Sequence, residues 1–286
     1  MNKGFVLSFS TFLIVSFLLL FAFYYAGKVQ RSDSMVSASF GTEKAGFVAD
    51  DIDADFNRLL GTRVSVSRSA ALSAIFIKDR MPPDINKSKI QAYDSFAENV
   101  YAGQQNASIS LATENLSDGR TELLFSNGLE YDYNYGSSNI IRLYAPNSDS
   151  NALSFDINVN INASSTSFSA WAWQDATGDL NVNLNFVDQN VSNEVHHSGK
   201  VDSSIENVFT WNYSGGGAFI LRVGNIGGNL RALQAEESFA DSSAAHLSVK
   251  SVVPFVPENF RWFYNADMNY SQGSVSLNRK ILERHG

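Results

Sequence analysis

The longest apolar run of the chain lies at its amino terminus, where no charged residue occurs between Phe5 and Ala26. At about 1.5 Å per residue a helix of this length measures about 33 Å, enough to cross a hydrocarbon core of about 30 Å. The run ends in "FYY", whereas a secretory leader has a shorter apolar stretch and small residues at its cleavage site. The pattern predicts a transmembrane or filament-core helix over residues 5–27, after a short basic head at 1–4.

A second helical pattern follows directly. Over residues 28–61 the apolar side chains recur every three or four positions, which predicts an amphipathic extension of the helix. Gly61 is a natural stop, while Gly27 and Gly41 predict a break or a bend. We expect one face of this extension to dock onto the body of the protein or onto a neighbouring subunit. That face consists of Ala45, Val48, Ile52, Phe56 and Leu59.

Beyond Gly61 the period of the pattern changes to two. Segments such as "LSFDINVNINA", "DLNVNLNFVD" and "AHLSVKSVV" alternate apolar and polar residues, and turn sequences such as "ATGD" and "YSGGG" separate them. This predicts a mainly β domain over residues 62–286, an antiparallel β-sandwich of the jelly-roll or immunoglobulin-like kind. Two prolines and the helical sequence "SKIQAYDSFAENVYA" predict a connector near residues 79–102.

Charge and composition narrow the function classes. The net charge is −8, from 29 acidic and 21 basic residues, which argues against a nucleic-acid partner because phosphate binding needs a basic surplus. The absence of cysteine excludes disulfides, thiolate zinc sites and cysteine nucleophiles.

The chain also contains N-x-Ser sequons, which act as glycosylation acceptors only outside the cytoplasm. The positive charges on the two sides of the apolar run are nearly balanced, so charge does not decide the orientation of the helix in a membrane. The sequons favour an extracytoplasmic body. The alternative is that a Ser- and Asn-rich sequence forms them by chance. The candidate acceptors are Asn86, Asn106, Asn115, Asn162, Asn190, Asn212 and Asn269.

The best candidate for metal chemistry is the sequence "DDIDADFNRLLGT". Asp51, Asp53 and Asp55 match the first three ligands of a calcium loop, but Phe56 stands where the loop needs Gly and Thr62 where it needs Glu. Helical periodicity also continues through these residues. They are therefore interpreted as the solvated face of the amphipathic helix, and no metal site is expected there.

Other polar residues give no catalytic or metal-binding signature. Asp175 and Asp179 could hold calcium in a turn, but an ordinary hairpin is favoured. His196 and His197 are adjacent and would point to opposite faces of a strand, which argues against a shared zinc ion. The other histidines are His246 and His285. No nucleophile elbow or metalloprotease motif occurs, so we expect neither an enzyme nor a cofactor.

Paired aromatic residues are either a candidate binding surface or, as is more common, part of the core. Trp171 and Trp173 are two positions apart, as are Trp211 and Tyr213, so each pair would share one face of a strand. Exposed rings could stack on a carbohydrate ligand, whereas buried rings would fill the core of the sandwich. Solvent exposure decides between these alternatives.

The head "NKG", the following "FVLSFSTFLIV", the amphipathic extension and the β-rich body together resemble archaeal type IV pilin-like proteins with class III signal peptides. The resemblance covers residues 1–60. It implies cleavage by a prepilin peptidase after Gly4, a new terminus at Phe5, and packing of the apolar helices into a filament core. Bacterial pilins carry an acidic residue at the fifth mature position, where this chain has Phe9. The membrane or assembly helix would present Phe9, Phe12, Leu13, Phe17 and Leu20.

These patterns predict a single-pass, membrane-anchored, extracytoplasmic structural protein, which would be a pilin-like subunit of a surface filament or an adhesin. Its expected partners are membrane lipid and further copies of itself or other pilin-like subunits. The alternative is a solitary surface-anchored β-sandwich module that recognises carbohydrate or another surface ligand.

Overall fold

The structure is a computed structural model that describes residues 3–69, 72–82, 87–135, 139–146, 152–168, 178–189, 195–240, 243–254, 260–281 and 284–285. It is mainly β, with a long helix at the amino terminus. The helical elements are α1 (Lys3–Leu60), α2 (Lys87–Ser95), a π-helical segment (Phe96–Tyr101), α3 (Ala102–Gln105) and α4 (Glu114–Ser117).

The strands begin directly after α1 and continue to the carboxyl terminus. They are β1 (Arg63–Arg68), β2 (Leu72–Met81), β3 (Ser108–Ala112), β4 (Arg120–Phe125), β5 (Glu130–Asn134), β6 (Asn139–Tyr144), β7 (Ser154–Ile161), β8 (Ser165–Phe168), β9 (Leu180–Val187), β10 (Val195–Val201), β11 (Glu206–Tyr213), β12 (Ala218–Ile226), β13 (Asn229–Glu237), β14 (Ala245–Pro254), β15 (Arg261–Tyr264), β16 (Asp267–Gln272), β17 (Val275–Lys280) and β18 (Arg284–His285).

The helix α1 is continuous. It passes through Gly27 and Gly41, so the predicted break at either glycine is wrong; one glycine costs only about 1 kcal/mol of helix propensity, which the long flanking segments tolerate. Gly61 ends the helix with a φ of +74°, a left-handed conformation that glycine adopts without strain.

Two large sheets form the body. One has six strands in the order β1-β2-β14-β7-β9-β10, and the other has nine in the order β18-β15-β4-β5-β6-β13-β12-β11-β8. Side chains join the inner faces of the two sheets: the ring of Phe186 on β9 lies 5.2 Å from that of Phe209 and 5.9 Å from that of Trp211, both on β11. The layers are therefore sandwich-like, as the alternating pattern predicts.

One ladder departs from the predicted antiparallel arrangement. Among the described strands, β7 and β9 form the one parallel pair, with Asn158 opposite Asn185. The reason is that β8 lies between them in sequence but belongs to the nine-stranded sheet, where it pairs with β11. The chain thus leaves the six-stranded sheet and re-enters it in the same direction.

A third sheet has three strands in the order β17-β16-β3. It contacts α1 through β16 and β17. The helical region from α2 to α3 overlaps the predicted connector near residues 79–102, whose first residues belong to β2. This small sheet attaches the amino-terminal helix to the body.

Candidate functional site

Residues 17–26 of α1 form an exposed apolar segment of the helix. We call residues 3–40 the stalk and residues 41–60 the base. In the stalk, Phe17 is 75% exposed and Leu20 is 68% exposed. Successive helical residues are rotated by about 100°, so the exposed run Phe17–Phe21 presents apolar side chains on every side of the helix. Exposed apolar surfaces of this kind are typical of sites that contact a membrane or another protein.

Aromatic and cationic side chains end the apolar part of the stalk. The rings of Phe21 and Tyr25 are stacked with their centroids 5.9 Å apart, and Lys28 Nζ lies 5.6 Å from the centroid of Tyr24. Tyrosines combined with a lysine are typical of the boundary between an apolar phase and water. The stalk therefore has a defined apolar end and a defined polar end.

The base buries one face against the body. Ala45, Val48, Ile52 and Phe56 are each no more than 3% exposed. The Phe56 ring packs edge-on against Tyr93 of α2, with 5.1 Å between centroids. Of the five residues predicted to dock the helix, Leu59 is only half-buried, and Leu60 at 4% exposure occupies the end of the stripe.

Polar contacts fix the opposite edges of the base. Lys44 Nζ donates a 2.6 Å hydrogen bond to the carbonyl of Gln105, and the Tyr101 hydroxyl donates a 2.9 Å bond to Asp51. On the other side, the Arg279 guanidinium of β17 lies 3.2 Å from the carboxylate of Asp50 and also pairs with the carboxylate of Asp53. Asp53 is only 3% exposed. These contacts clamp the base to the body from two directions.

The acidic run in α1 is thereby accounted for by protein partners. Asp51, Asp53 and Asp55 bind Tyr101, Arg279 and Tyr93 respectively, the last at 3.2 Å. No group of three or more metal-binding side chains occurs among the described residues.

The other acidic site that we singled out is a turn anchor. Asp179 accepts hydrogen bonds from the backbone and side chain of Ser203 and a 2.8 Å bond from Arg231. These bonds outweigh the effect of burial and lower the pKa of Asp179 to about 2. Asp175 lies outside the described residues. Asp179 thus connects the segment before β9 to the β10–β11 loop and to β13 through protein groups.

The described histidine side chains lie on two strands of the six-stranded sheet. His196 is exposed and His197 is half-buried on β10, and burial lowers the pKa of His197. His246 is exposed on β14, and the side chain of His285 lies outside the described ones.

For the pair Trp211 and Tyr213 the structure decides between a binding surface and a core position. Trp211 is fully buried, and its Nε1 donates a 3.1 Å hydrogen bond to the buried carboxylate of Asp188. Tyr213 is half-buried and stacks on Trp211 with 6.1 Å between centroids. Since the inward face of β11 packs against the other sheet, the Trp211 indole fills the core and is not available to a ligand. Trp171 and Trp173 lie outside the described residues.

The structure describes only some of the residues predicted for the cleavage site and for the membrane or assembly helix. Gly4 and Phe5 lie in the first turn of α1, whereas the side chains of Phe9, Phe12 and Leu13 lie outside the described ones. Within the part of the chain that the structure describes, no helix combines the length and apolar character needed to cross a bilayer.

The sequons lie mostly at the surface. The exposed ones are Asn106, Asn115, Asn162 and Asn269; Asn212 is half-buried. Asn86 and Asn190 lie outside the described residues.

Sequence reasoning missed a carboxylate at the junction of helix and sandwich. Asp79 of β2 accepts hydrogen bonds from Thr62, which follows α1 directly, at 2.7 Å and from Tyr131 of β5 at 2.5 Å. Burial raises the pKa of Asp79 from 3.8 to about 6, although these bonds and one from the amide of Arg80 favour the charged form. Only the alternation in "LSAIFIKDRM" could have signalled that Asp79 falls on the inward face of its strand.

Comparison of the chain with known protein families, with curated proteins and with solved structures finds no match.

Proposed function

We propose that the protein is a membrane-anchored, extracytoplasmic structural subunit of a pilin-like surface filament. Its stalk would lie in the membrane before assembly and in the filament core afterwards, and its β-sandwich body would face outward. The observation that carries this proposal is the helix α1, whose residues Phe17–Phe21 expose apolar side chains on every side of the stalk and whose base is clamped to the body. A structural role of this kind requires no catalytic group.

The clamped base supports assembly in particular. A solitary anchor needs only a flexible connection to its domain, whereas a filament needs each body to keep a constant orientation relative to its stalk. The base has a buried apolar face and polar contacts on two sides, so it holds that orientation. Small hydroxyl residues in the stalk, such as Ser16, also permit close approach of neighbouring helices.

Amino-terminal sequencing of the protein from its own cells, combined with electron microscopy of the material released by shearing, tests the proposal. We expect a terminus at Phe5 and thin filaments that contain the protein. A terminus at Met1, with the protein found only as monomers in the membrane fraction, would indicate the solitary anchor instead. Recovery of the intact chain as a soluble cytosolic monomer would overturn both.

A matched pair of variants tests the stalk directly. Leu20→Glu places a charge on the exposed apolar surface of the stalk and should abolish filaments, because a charge in an apolar phase is strongly disfavoured. Val208→Glu changes an apolar side chain that is 44% exposed on β11 of the body and serves as the control. Equal amounts of sheared filaments from both variants would count against the stalk as the assembly element.

A further inference from the structure

The outer face of the six-stranded sheet carries a row of polar side chains that crosses five strands. Lys78 is opposite Ser248, Ser248 is opposite Asn158, Asn158 is opposite Asn185, and Asn185 is opposite His196. We call these five residues the amide row. Adjacent strands lie about 4.8 Å apart, so the row extends over about 19 Å.

A second row of polar side chains lies beside the amide row and stabilises the sheet face. Asn183 Nδ2 donates a 2.6 Å hydrogen bond to Asp156 Oδ1, and Ser198 Oγ donates one of 2.6 Å to Asn183 Oδ1. Lys250 Nζ pairs with the other oxygen of Asp156 at 2.9 Å. This second row is thus bonded within itself, and its carboxylate is neutralised, so it holds the sheet face in place without adding net charge.

The amide row, by contrast, has hydrogen-bonding capacity left over at its centre. Asn185 Nδ2 donates a 3.2 Å hydrogen bond to Asn158 Oδ1. No described residue donates a hydrogen bond to Asn185 Oδ1, although that oxygen is screened from water. Such an acceptor is costly when it has no donor, and a small rotation of the amide would present it to a ligand hydroxyl.

Two cavities meet at this pair of asparagines. One, of about 310 Å³, extends from Asn158 and Asn185 towards His196, and the other, of about 480 Å³, extends from the same two residues towards His246 and Lys78. Both volumes fall in the range of ligand pockets, about 300–1,000 Å³. Together they form one open groove along the amide row, across the strands.

The chemistry of the groove selects the ligand. Lys78 at one end is the charged member of the amide row. The other four are two primary amides, a serine hydroxyl and an imidazole, which donate and accept hydrogen bonds without carrying a fixed charge. Neighbouring hydroxyl groups of a sugar ring have the same dual capacity, and a chain of sugar rings repeats at a spacing similar to that of the strands. A polyanion would instead require the basic surplus that this chain, with a net charge of −8, lacks.

We propose that the amide row is a binding site for a neutral oligosaccharide chain that lies across the strands of the six-stranded sheet. Asn158 and Asn185 at its centre would hold the hydroxyl groups of one sugar unit, and the two arms of the groove would take the units on either side. This site does not depend on filament assembly, since a solitary anchored body would carry the same sheet face.

Isothermal titration calorimetry on the full chain, in a detergent without a sugar headgroup, tests the site. The probes are the hexasaccharides of β-1,4-linked glucose, mannose and N-acetylglucosamine and of α-1,4-linked glucose, with heparin hexasaccharide as the charged comparison. We expect saturable binding of at least one neutral probe. Binding of heparin alone, or of no probe, would overturn the proposal.

A matched pair of variants locates the binding. The double variant N158A/N185A should weaken binding by about tenfold or more, because both central amides are lost. Asn181→Ala removes another exposed asparagine of β9, one that lines neither cavity, and should leave the affinity within about twofold. Both changes replace side chains on the outer face of the sheet, and circular dichroism checks that each variant is folded. Equal loss of affinity in the two variants would overturn the assignment to the amide row.

Discussion

The guanidinium of Arg279 on β17 pairs with the carboxylate of Asp53 on α1, joining two residues that are 226 positions apart. Asp53 is 3% exposed, so this contact brings a carboxylate of the base into the interface with the three-stranded sheet. The same guanidinium reaches Asp50 at 3.2 Å. The last hairpin of the chain thus holds its first helix.

Arg279→Met should lower the free energy of unfolding by about 2–4 kcal/mol, because it removes the cation that faces a buried carboxylate. Urea unfolding of the full chain in detergent, followed by tryptophan fluorescence, measures the change. Arg58→Met is the control: Arg58 pairs with Asp55 at 3.3 Å, but its side chain is 80% exposed, so the expected change is below about 1 kcal/mol. If the two variants lose the same stability, the pair does not clamp the base.

Ile52→Asp should detach the base from the body. Ile52 is fully buried, and the change removes its apolar contacts and places a charge among them, at an expected loss of about 3 kcal/mol or more. Ala54→Asp, two residues further on the exposed side of the helix, should cost less than about 1 kcal/mol. An unchanged thermal midpoint for Ile52→Asp would refute the docking role of this face.

Two glycines of the base should respond in opposite ways to alanine. A Cβ at Gly46 meets nothing within 4 Å, so Gly46→Ala should raise the free energy of unfolding by about 0.5–1 kcal/mol through helix propensity. A Cβ at Gly41 would lie 2.8 Å from Cγ2 of Val275 on β17, so Gly41→Ala should gain less or lose stability.

A double-mutant cycle checks the cause of that difference. In a Val275→Ala background the close contact is gone, and Gly41→Ala should then stabilise the helix as Gly46→Ala does. The same loss in both backgrounds would mean that Val275 is not what limits the space at Gly41.

Asp79 should make stability depend on pH near neutrality. Because the pKa of Asp79 in the folded protein is about 6, above its ordinary value of 3.8, the folded state binds a proton that the unfolded state has released. The stability from this proton is fully present below about pH 4 and is lost as the pH rises through 6. Relative to Asp79→Asn, the wild type should therefore lose roughly 2–3 kcal/mol between pH 4 and pH 7.

Asp156→Asn is the control for that measurement. Although burial opposes it, hydrogen bonds from Lys250 and Asn183 lower the pKa of Asp156 below its ordinary value. Its contribution to stability is present above about pH 4 and is lost only at lower pH. The difference between Asp156→Asn and the wild type should stay constant from pH 4.5 to pH 7, and a flat curve for Asp79→Asn as well would show that Asp79 does not titrate there.

The local pattern of apolar and polar residues was sufficient to predict the secondary-structure elements. The period of two in "LSFDINVNINA" and "DLNVNLNFVD" predicted β7 and β9, and the stop at Gly61 predicted the end of α1. These features depend on side chains a few positions apart, so a short window of sequence contains the information. The break at Gly27 or Gly41 was predicted wrongly because a propensity of about 1 kcal/mol does not outweigh the long helix on either side.

The sequence pattern could not predict which residues far apart in the chain contact one another. Trp211 and the asparagines of β7 and β9 all lie in strands with the same alternating pattern. Trp211 nevertheless lies in the core, whereas the asparagines line an open groove. Which face of a strand is covered depends on the sheet that packs against it, and here this decided that the Trp211 ring is interior. The amide row itself exists only because β8 joins the other sheet and leaves β7 beside β9.

By itself the sequence determined a long apolar helix, its amphipathic continuation and a succession of short strands, since each follows from the spacing of apolar side chains along the chain. Tertiary structure alone decided that Arg279 meets Asp53, that Asp79 lies between Thr62 and Tyr131, and that Asn158 stands beside Asn185. The physical reason is that periodicity records which side of an element avoids water, whereas the identity of the covering group is set by the packing of segments far apart in the chain.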